Sequence, residues 1–196
     1  SPSACSGGVT RFSVMNIMDF FARSSSSILF PEIHTIPFWP TVISHPVSLF
    51  MAGSPGAGKT EVSKRLIEQF SGKLPVRIDA DEIRELFPNY TGANSHIFQR
   101  ACSIGVNKLF DYVLDKNINV ILDGTFAYGR AIENIERSLS HGRRVVVYYL
   151  FQDPLIAWKF TQIREEQEGR RVARDVFISA FFRAQENVRS VKKHFG

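Results

Sequence analysis

Residues 53–60 have the composition and spacing of a loop that binds phosphate groups. Gly53 and Gly58 bracket this loop, and Lys59 and Thr60 follow directly. Glycines have no side chains, so successive backbone N–H groups can turn towards an oxyanion, and a following helix adds its positive end. The lysine of such a loop contacts the β- and γ-phosphates, and the hydroxyl binds Mg²⁺. We therefore expect ATP to bind to Gly53, Ser54, Pro55, Gly56, Ala57, Gly58, Lys59 and Thr60.

Two acidic residues lie in the segment RIDADEIRELFP, residues 77–88. Asp79 precedes Glu82 by three residues, which is the spacing of a helix-capping box, so Asp79 is expected to cap a short helix. Asp81 then lies in the first turn, where its carboxylate can accept the proton of a hydroxyl that attacks the γ-phosphate. Two alternatives stay open: Asp81 stabilises the helix dipole, or the two acids exchange roles and Asp79 is the base.

A third acid ends the apolar run in NVILDGT, residues 119–125. Asp123 in this position is expected to orient Mg²⁺ through water, while Gly124 allows a close approach of the backbone. Thr125 supplies a hydroxyl to the same place, or else caps a turn. We therefore predict Thr60 and Asp123 as the metal-binding residues.

An arginine cluster follows in the last part of the chain, with Arg164, Arg170 and Arg171 among its members. Neutralising the transferred phosphoryl group is the main electrostatic task of a kinase, and arginines on a mobile lid can do it. Intervening glutamates also fit a solvated, salt-bridged helix face. We predict catalytic roles for Arg164 and Arg170 and a nucleotide contact for Arg171.

Composition places the chain among ordinary globular proteins. It has 196 residues, 44% of them hydrophobic, and a net charge of +5. This charge suits an anionic ligand, but no interleaved aromatic and basic motif indicates nucleic acid. Two cysteines without metal or redox spacing, and apolar runs too short for a membrane helix, favour a cytoplasmic protein.

Strands and helices alternate from Val47 onward. Strands are predicted at residues 47–52, 76–78, 120–122 and 145–150, and helices at 59–70, 81–86, 95–115, 129–140, 154–168 and 174–193. This alternation predicts an α/β fold, a parallel sheet flanked by helices on both faces, with ligands beyond the carboxyl ends of the strands. A fifth strand either is missing at the carboxyl terminus, through truncation, or comes from the amino-terminal segment.

The first 46 residues differ from residues 47–196, the predicted kinase domain. Apolar residues in 10–23 predict one short helix, and four prolines between residues 30 and 46 predict an irregular path. We treat residues 1–46 as an extension, either regulatory or packed on the core.

The combined motifs resemble the zeta-toxin family of bacterial toxin–antitoxin systems. The resemblance covers about residues 47–195, through MAGSPGAGKT, IDADEIRELFPNY, LDGT and EGRRVA. It implies a P-loop kinase that transfers the ATP γ-phosphate to the 3′-hydroxyl of UDP-N-acetylglucosamine and so blocks peptidoglycan synthesis. It also implies an antitoxin partner, for which the helix at 10–23 is a self-inhibiting alternative.

The resemblance assigns roles to individual residues. It implies Asp81 as the general base, Arg164 and Arg170 as arginines of the lid region, and Asp123 and Thr125 as contacts of the sugar nucleotide. Two positions depart from the family pattern, because Asp123 replaces a glutamate and Asn107 aligns with a substrate-contacting glutamate. These departures keep another acceptor open, namely an antibiotic, a nucleoside derivative or a polynucleotide end.

Overall fold

A computed structural model describes residues 11–16, 45–68, 70 and 72–195, with the backbone alone considered for 11–16. Within these residues the strands are β1 (Arg11–Asn16), β2 (Val47–Ala52), β3 (Val76–Asp79), β4 (Val120–Asp123) and β5 (Arg144–Phe151). The helices are α1 (Lys59–Glu68), α2 (Ala80–Glu85), α3 (Ser95–Asp115), α4 (Ala131–Ser140), α5 (Pro154–Glu168) and α6 (Arg174–Phe195).

The strands form one sheet in the order β1-β5-β2-β4-β3, and every neighbouring pair is parallel. All six residues of β2 are buried, as expected for a strand with helices on both faces. Its side chains alternate between two cores. Phe50 packs on one face with residues of α3, α4 and α6, whereas Leu49 packs on the other with α1. The predicted fold class, a parallel sheet flanked by helices on both faces, is confirmed.

The carboxyl ends of the strands bring the predicted acids together. In the pairing of β3 with β4, Asp79 lies directly opposite Asp123. The phosphate loop leaves the carboxyl end of β2, which pairs with the other side of β4. Sheet register therefore places two carboxylates and the loop at one edge.

The predicted helix over residues 10–23 is wrong where the structure describes it. Arg11–Asn16 form strand β1, which pairs in parallel with β5, and residues 17–23 lie outside the described part of the chain. Polar and apolar residues alternate over Arg11, Phe12, Ser13 and Val14, and this period of two fits a strand. Pairing with β5 also satisfies backbone groups that an isolated helix end leaves open. The amino-terminal segment thus supplies the fifth strand.

The remaining elements agree with the predicted ones to within a few residues. β2 and α3 have the predicted bounds, while α1 ends two residues earlier and α6 two residues later than predicted. Asp79 caps α2 as predicted, because its Oδ1 accepts the N–H of Asp81 at 2.8 Å. The division of the chain at residue 46 stays a prediction.

A buried arginine ties the opposite, amino-terminal edge of the sheet. Arg143 is 1% exposed, and its guanidinium donates to Ser48 Oγ at 2.8 Å and to the carbonyls of Val47 at 3.0 Å and Ile118 at 2.5 Å. Burial lowers the pKa of Arg143 to about 10. The charge is thus held by neutral oxygen atoms.

We predict that Arg143→Ala lowers the free energy of unfolding by about 3 kcal/mol, because it leaves buried carbonyls unpaired and opens a cavity. Urea unfolding measures the loss. The matched control is Arg130→Ala, an exposed arginine paired with Glu133, for which we expect a change below about 1 kcal/mol. Equal losses in the two variants would contradict the role given to Arg143.

Candidate active site

The phosphate loop connects β2 to α1 and carries a buried cation. Lys59 is 8% exposed, and its Nζ donates to the carbonyl of Ser54 at 2.6 Å. The Ser54 hydroxyl is 4% exposed as a residue and has no hydrogen-bond partner in the described structure. An orphaned buried hydroxyl beside a buried ammonium fits an incoming anion, since a phosphate oxygen satisfies both groups.

Two glycines let this loop lie against its neighbours. A Cβ at Gly53 would be 2.5 Å from the Leu150 carbonyl oxygen, and one at Gly56 would be 2.2 Å from that of Ala157. Both residues have positive φ, at 142° and 74°. Only glycine meets both conditions at low cost, so the loop is held between β5 and α5.

The predicted base lies at the start of α2 between two arginines. Asp81 forms ion pairs with Arg84 of the same helix and with Arg170, which follows α5. The contact with Arg170 joins positions 89 residues apart in the sequence. The structure therefore brings together two residues that the sequence analysis predicts to be catalytic.

The other predicted lid arginines have different partners. Arg164 pairs at 3.0 Å with Glu61, the residue that follows Thr60. Its positive charge lowers the pKa of Lys59. Arg171 is largely exposed, and its Nε lies 3.8 Å from Glu165. Arg164 is thus at the phosphate loop, whereas Arg171 lies on the surface. A backbone contact also joins this region to the loop after α2, because a Cβ at Gly92 would be 3.1 Å from the Gly169 carbonyl oxygen.

Asp123 has protein partners on its Oδ2 atom. This oxygen accepts from Ser63 Oγ at 2.6 Å and from Arg77 Nε at 2.9 Å, and Asp123 is 7% exposed. Ser63 belongs to α1 and also donates to the Thr60 carbonyl at 3.0 Å. Oxygen donors of this kind fit Mg²⁺, which keeps several waters and uses few carboxylates. Thr60 and Asp123 would hold it, with Asp123 acting through water.

Thr125 lies in a turn that touches the phosphate loop. Its carbonyl accepts the Gly53 N–H at 3.1 Å, and its hydroxyl accepts the Ala127 N–H at 3.3 Å. The hydroxyl therefore caps a turn, which was one of its two predicted roles. The next residue, Phe126, is buried at φ 59°, and the Asn187 amide of α6 donates to its carbonyl at 2.8 Å.

Asn107 is the predicted substrate contact that the structure leaves apart from this cluster. Its amide donates to the Ser103 carbonyl at 2.8 Å, one turn earlier in α3. This bond lies within the helix and does not link Asn107 to Asp81 or Asp123.

The family of this chain is indicated by a match over most of its length. A family model of the zeta toxin matches residues 33–195. The chain belongs to the zeta-toxin family. The recognition made from its motifs is therefore confirmed, and the fold described above is the P-loop kinase fold that this recognition implied. A search of curated proteins found no significant match.

Two solved structures resemble this zeta-toxin chain in fold. One comes from the PezAT chromosomal toxin–antitoxin system of the human pathogen Streptococcus pneumoniae, with a TM-score of 0.63 and 20% identity, covering 76% of this chain and 63% of that chain. The other comes from the Pnkp1/Rnl/Hen1 RNA repair complex, with a TM-score of 0.59, 16% identity and coverages of 77% and 48%. The zeta-toxin chain thus spans less than two thirds of either relative's length. In its described residues, no helix is long and apolar enough to cross a bilayer.

Sequence reasoning missed three residues of this zeta-toxin site, Arg77, Arg84 and Ser63. A signal existed for two of them. Arg77 and Asp79 are two positions apart in a strand and so share a face, and Asp81 and Arg84 have a helical i,i+3 spacing. No comparable spacing links Ser63 to Asp123, which lies 60 residues away.

The pKa of Lys59 is lowered to about 8, chiefly by burial and also by the charge of Arg164, while the carboxylates of Asp123, Asp79 and Asp81 oppose this shift. We predict that the Kd for an ATP analogue increases as the pH rises above about 8, because the neutral amine no longer attracts phosphate. Fluorescence titration between about pH 7 and 9.5 measures this.

Lys59→Met is the matched control, since its side chain has no charge to lose. It should bind the analogue weakly, with a Kd that does not change over the same pH range. A Kd that increases equally in both proteins would contradict the assignment to Lys59.

Proposed function

We propose that the protein transfers the γ-phosphate of ATP to the 3′-hydroxyl of UDP-N-acetylglucosamine, and thereby blocks peptidoglycan synthesis in the cytoplasm. The observation that carries the proposal is the position of Asp81, which pairs with Arg170 and lies at the same sheet edge as the phosphate loop. The proposal is supported by finding a candidate base, a glycine-rich loop and arginines at one edge, since a phosphotransferase needs such groups together. The choice of this acceptor rests on family membership.

The proposed reaction transfers one phosphoryl group and one proton. The acceptor oxygen forms a bond to the γ-phosphorus while the bond to the β,γ-bridging oxygen breaks, and ADP leaves. Asp81 takes the proton of the attacking hydroxyl. Lys59 and the loop amides hold the phosphates, and Arg164 and Arg170 offset negative charge on the transferred group. Mg²⁺, when bound by Thr60 and Asp123, would offset the charge of the phosphates.

Arg170 connects the two halves of this proposed site. In the structure its guanidinium neutralises Asp81, and the same group lies on the segment after α5, which begins near the phosphate loop. Binding of ATP offers Arg170 a second anion. We propose that exchange of Arg170 from Asp81 to phosphate frees the Oδ2 atom of the base when the nucleotide is in place, while Arg84 keeps its pair with Oδ1.

An antitoxin is the proposed macromolecular partner, in line with the toxin–antitoxin system of the structural relative. Self-inhibition by a helix at residues 10–23 is not proposed, because Arg11–Asn16 form a strand of the sheet. Thr125 remains a proposed contact of the acceptor, through side-chain atoms that do not accept the Ala127 N–H. Arg171 and Asn107 are proposed only as outer contacts of nucleotide and acceptor.

We predict that Asp81→Asn lowers kcat by about 10²- to 10⁴-fold, because it removes the base and keeps the size of the side chain. The Kd for ATP should stay within about threefold of wild type. Asp153→Asn, which changes the capping acid of α5, is the matched control and should keep its kcat. If Asp79→Asn loses activity and Asp81→Asn does not, the two acids have the opposite roles.

The acceptor is tested by mass spectrometry after incubation with ATP, Mg²⁺ and UDP-N-acetylglucosamine. We expect a gain of one phosphoryl group, and no gain on an analogue that lacks the 3′-hydroxyl or with the Asp81→Asn variant. A nucleoside, an antibiotic and an RNA with a free 5′-hydroxyl are assayed in parallel. Phosphorylation of one of these instead of the sugar nucleotide would replace the proposed acceptor.

A further inference from the structure

Arg77 is a nearly buried cation at the centre of the acidic edge. Its side chain is 8% exposed, and its Nη2 lies 2.6 Å from Asp79 Oδ2 and 2.9 Å from Asp123 Oδ2. Its Nε donates to Asp123 at 2.9 Å and to Ser63 Oγ at 3.1 Å, and its Nη1 pairs with Glu82. One guanidinium thus joins the ends of β3 and β4 to the starts of α1 and α2.

Each partner of Arg77 leads to a different part of the proposed reaction. Asp79 accepts the N–H of Asp81 and so fixes the first turn of the helix that carries the base. Ser63 donates to the carbonyl of Thr60, the last residue of the phosphate loop. Asp123 lies opposite Asp79 in the sheet. A shift of this guanidinium therefore moves the base relative to the phosphates.

The planar shape of the guanidinium is essential to this arrangement. Nε, Nη1 and Nη2 point in different directions in one plane and reach four side chains at once. A lysine offers one ammonium on a flexible stem, so it keeps the charge and cannot make all of these bonds together. The buried carboxylates would then lack part of their hydrogen bonds.

We propose that Arg77 is a positioning residue of the phosphotransfer reaction, which holds Asp81 in register with the phosphate loop through Asp79, Asp123 and Ser63. The inference rests on the proposed function. In this proposal Arg77 acts through its protein partners and not on a substrate, so its loss affects the rate of transfer and leaves the binding of ATP intact. A general loss of folding would instead lower both the rate of transfer and the binding of ATP.

The test compares Arg77→Lys and Arg77→Ala with wild type. We expect kcat to fall by about 10²-fold in both, because a displacement of about 1 Å has that effect, with the KM for ATP within about threefold. Guanidinium chloride at non-denaturing concentration should restore part of the kcat of Arg77→Ala. Sodium chloride and urea at the same concentration should not.

Arg143→Lys is the matched control, since it alters another buried arginine at the far edge of the sheet. It should lower the melting temperature without changing kcat in the folded protein. A kcat within about twofold of wild type in Arg77→Lys would overturn the proposal. So would a loss explained wholly by a higher KM for ATP, or a loss that guanidinium does not restore.

Hydrogen exchange distinguishes this proposal from the proposed function. If wild-type protein phosphorylates no acceptor, the proposed function fails, and exchange of the Asp81 amide still tests Arg77. Faster exchange of that amide in Arg77→Lys, with unchanged exchange in β2 and β5, supports the positioning role. Unchanged exchange at Asp81 overturns it.

Discussion

Two carboxylates that end neighbouring strands constrain the rest of this structure. Parallel pairing sets Asp79 beside Asp123, and at the ~4.8 Å spacing of strands their repulsion is about 3 kcal/mol with an effective dielectric constant of about 20. Burial raises the pKa of Asp79 to about 6, and the charges of Asp81 and Asp123 add to this effect. Arg77 opposes it with a positive charge between the two acids. Together with the Asp81 N–H, which Asp79 also accepts, this cation offsets the repulsion between two acids that the sheet register places side by side.

Cations at this edge divide by depth, and the division suits a reaction between two anions. Lys59 and Arg77 are buried, Lys59 against the Ser54 carbonyl and Arg77 among four side chains, whereas Arg164 and Arg170 are partly exposed and pair with single carboxylates. A buried cation offers a preorganised field, while an exposed pair is weak and exchanges easily. The buried cations are thus suited to hold the permanent carboxylates and loop of the site. The partly exposed arginines are suited to pair with nucleotide phosphates, which bind and dissociate.

Local sequence patterns predict the elements, and they fail where contacts join distant parts of the chain. Apolar runs fix β2 and β4 because both faces are covered, and the spacing of Asp79 and Glu82 fixes the start of α2. A fifth strand from the amino-terminal segment was one of two alternatives, but residues 10–23 were predicted as a helix because the pairing of β1 with β5 joins residues more than a hundred positions apart. Arg170 was placed near the reaction from family resemblance, but its pairing with Asp81 follows only from the fold. The ion-pair partners of long charged side chains depend on the three-dimensional fold, and no sequence periodicity predicts them.

The shorter acid at position 123 has a consequence for how the acceptor is recognised. An aspartate keeps its carboxylate close to the strand, where Ser63 and Arg77 both reach Oδ2. The family's glutamate extends by one more methylene and can project farther from the same position. With 7% exposure and two donors on one oxygen, Asp123 is held against α1 and β3. Under the proposed function, the turn at Thr125 and the start of α2 are better placed than Asp123 to contact the acceptor, because their side chains are more exposed.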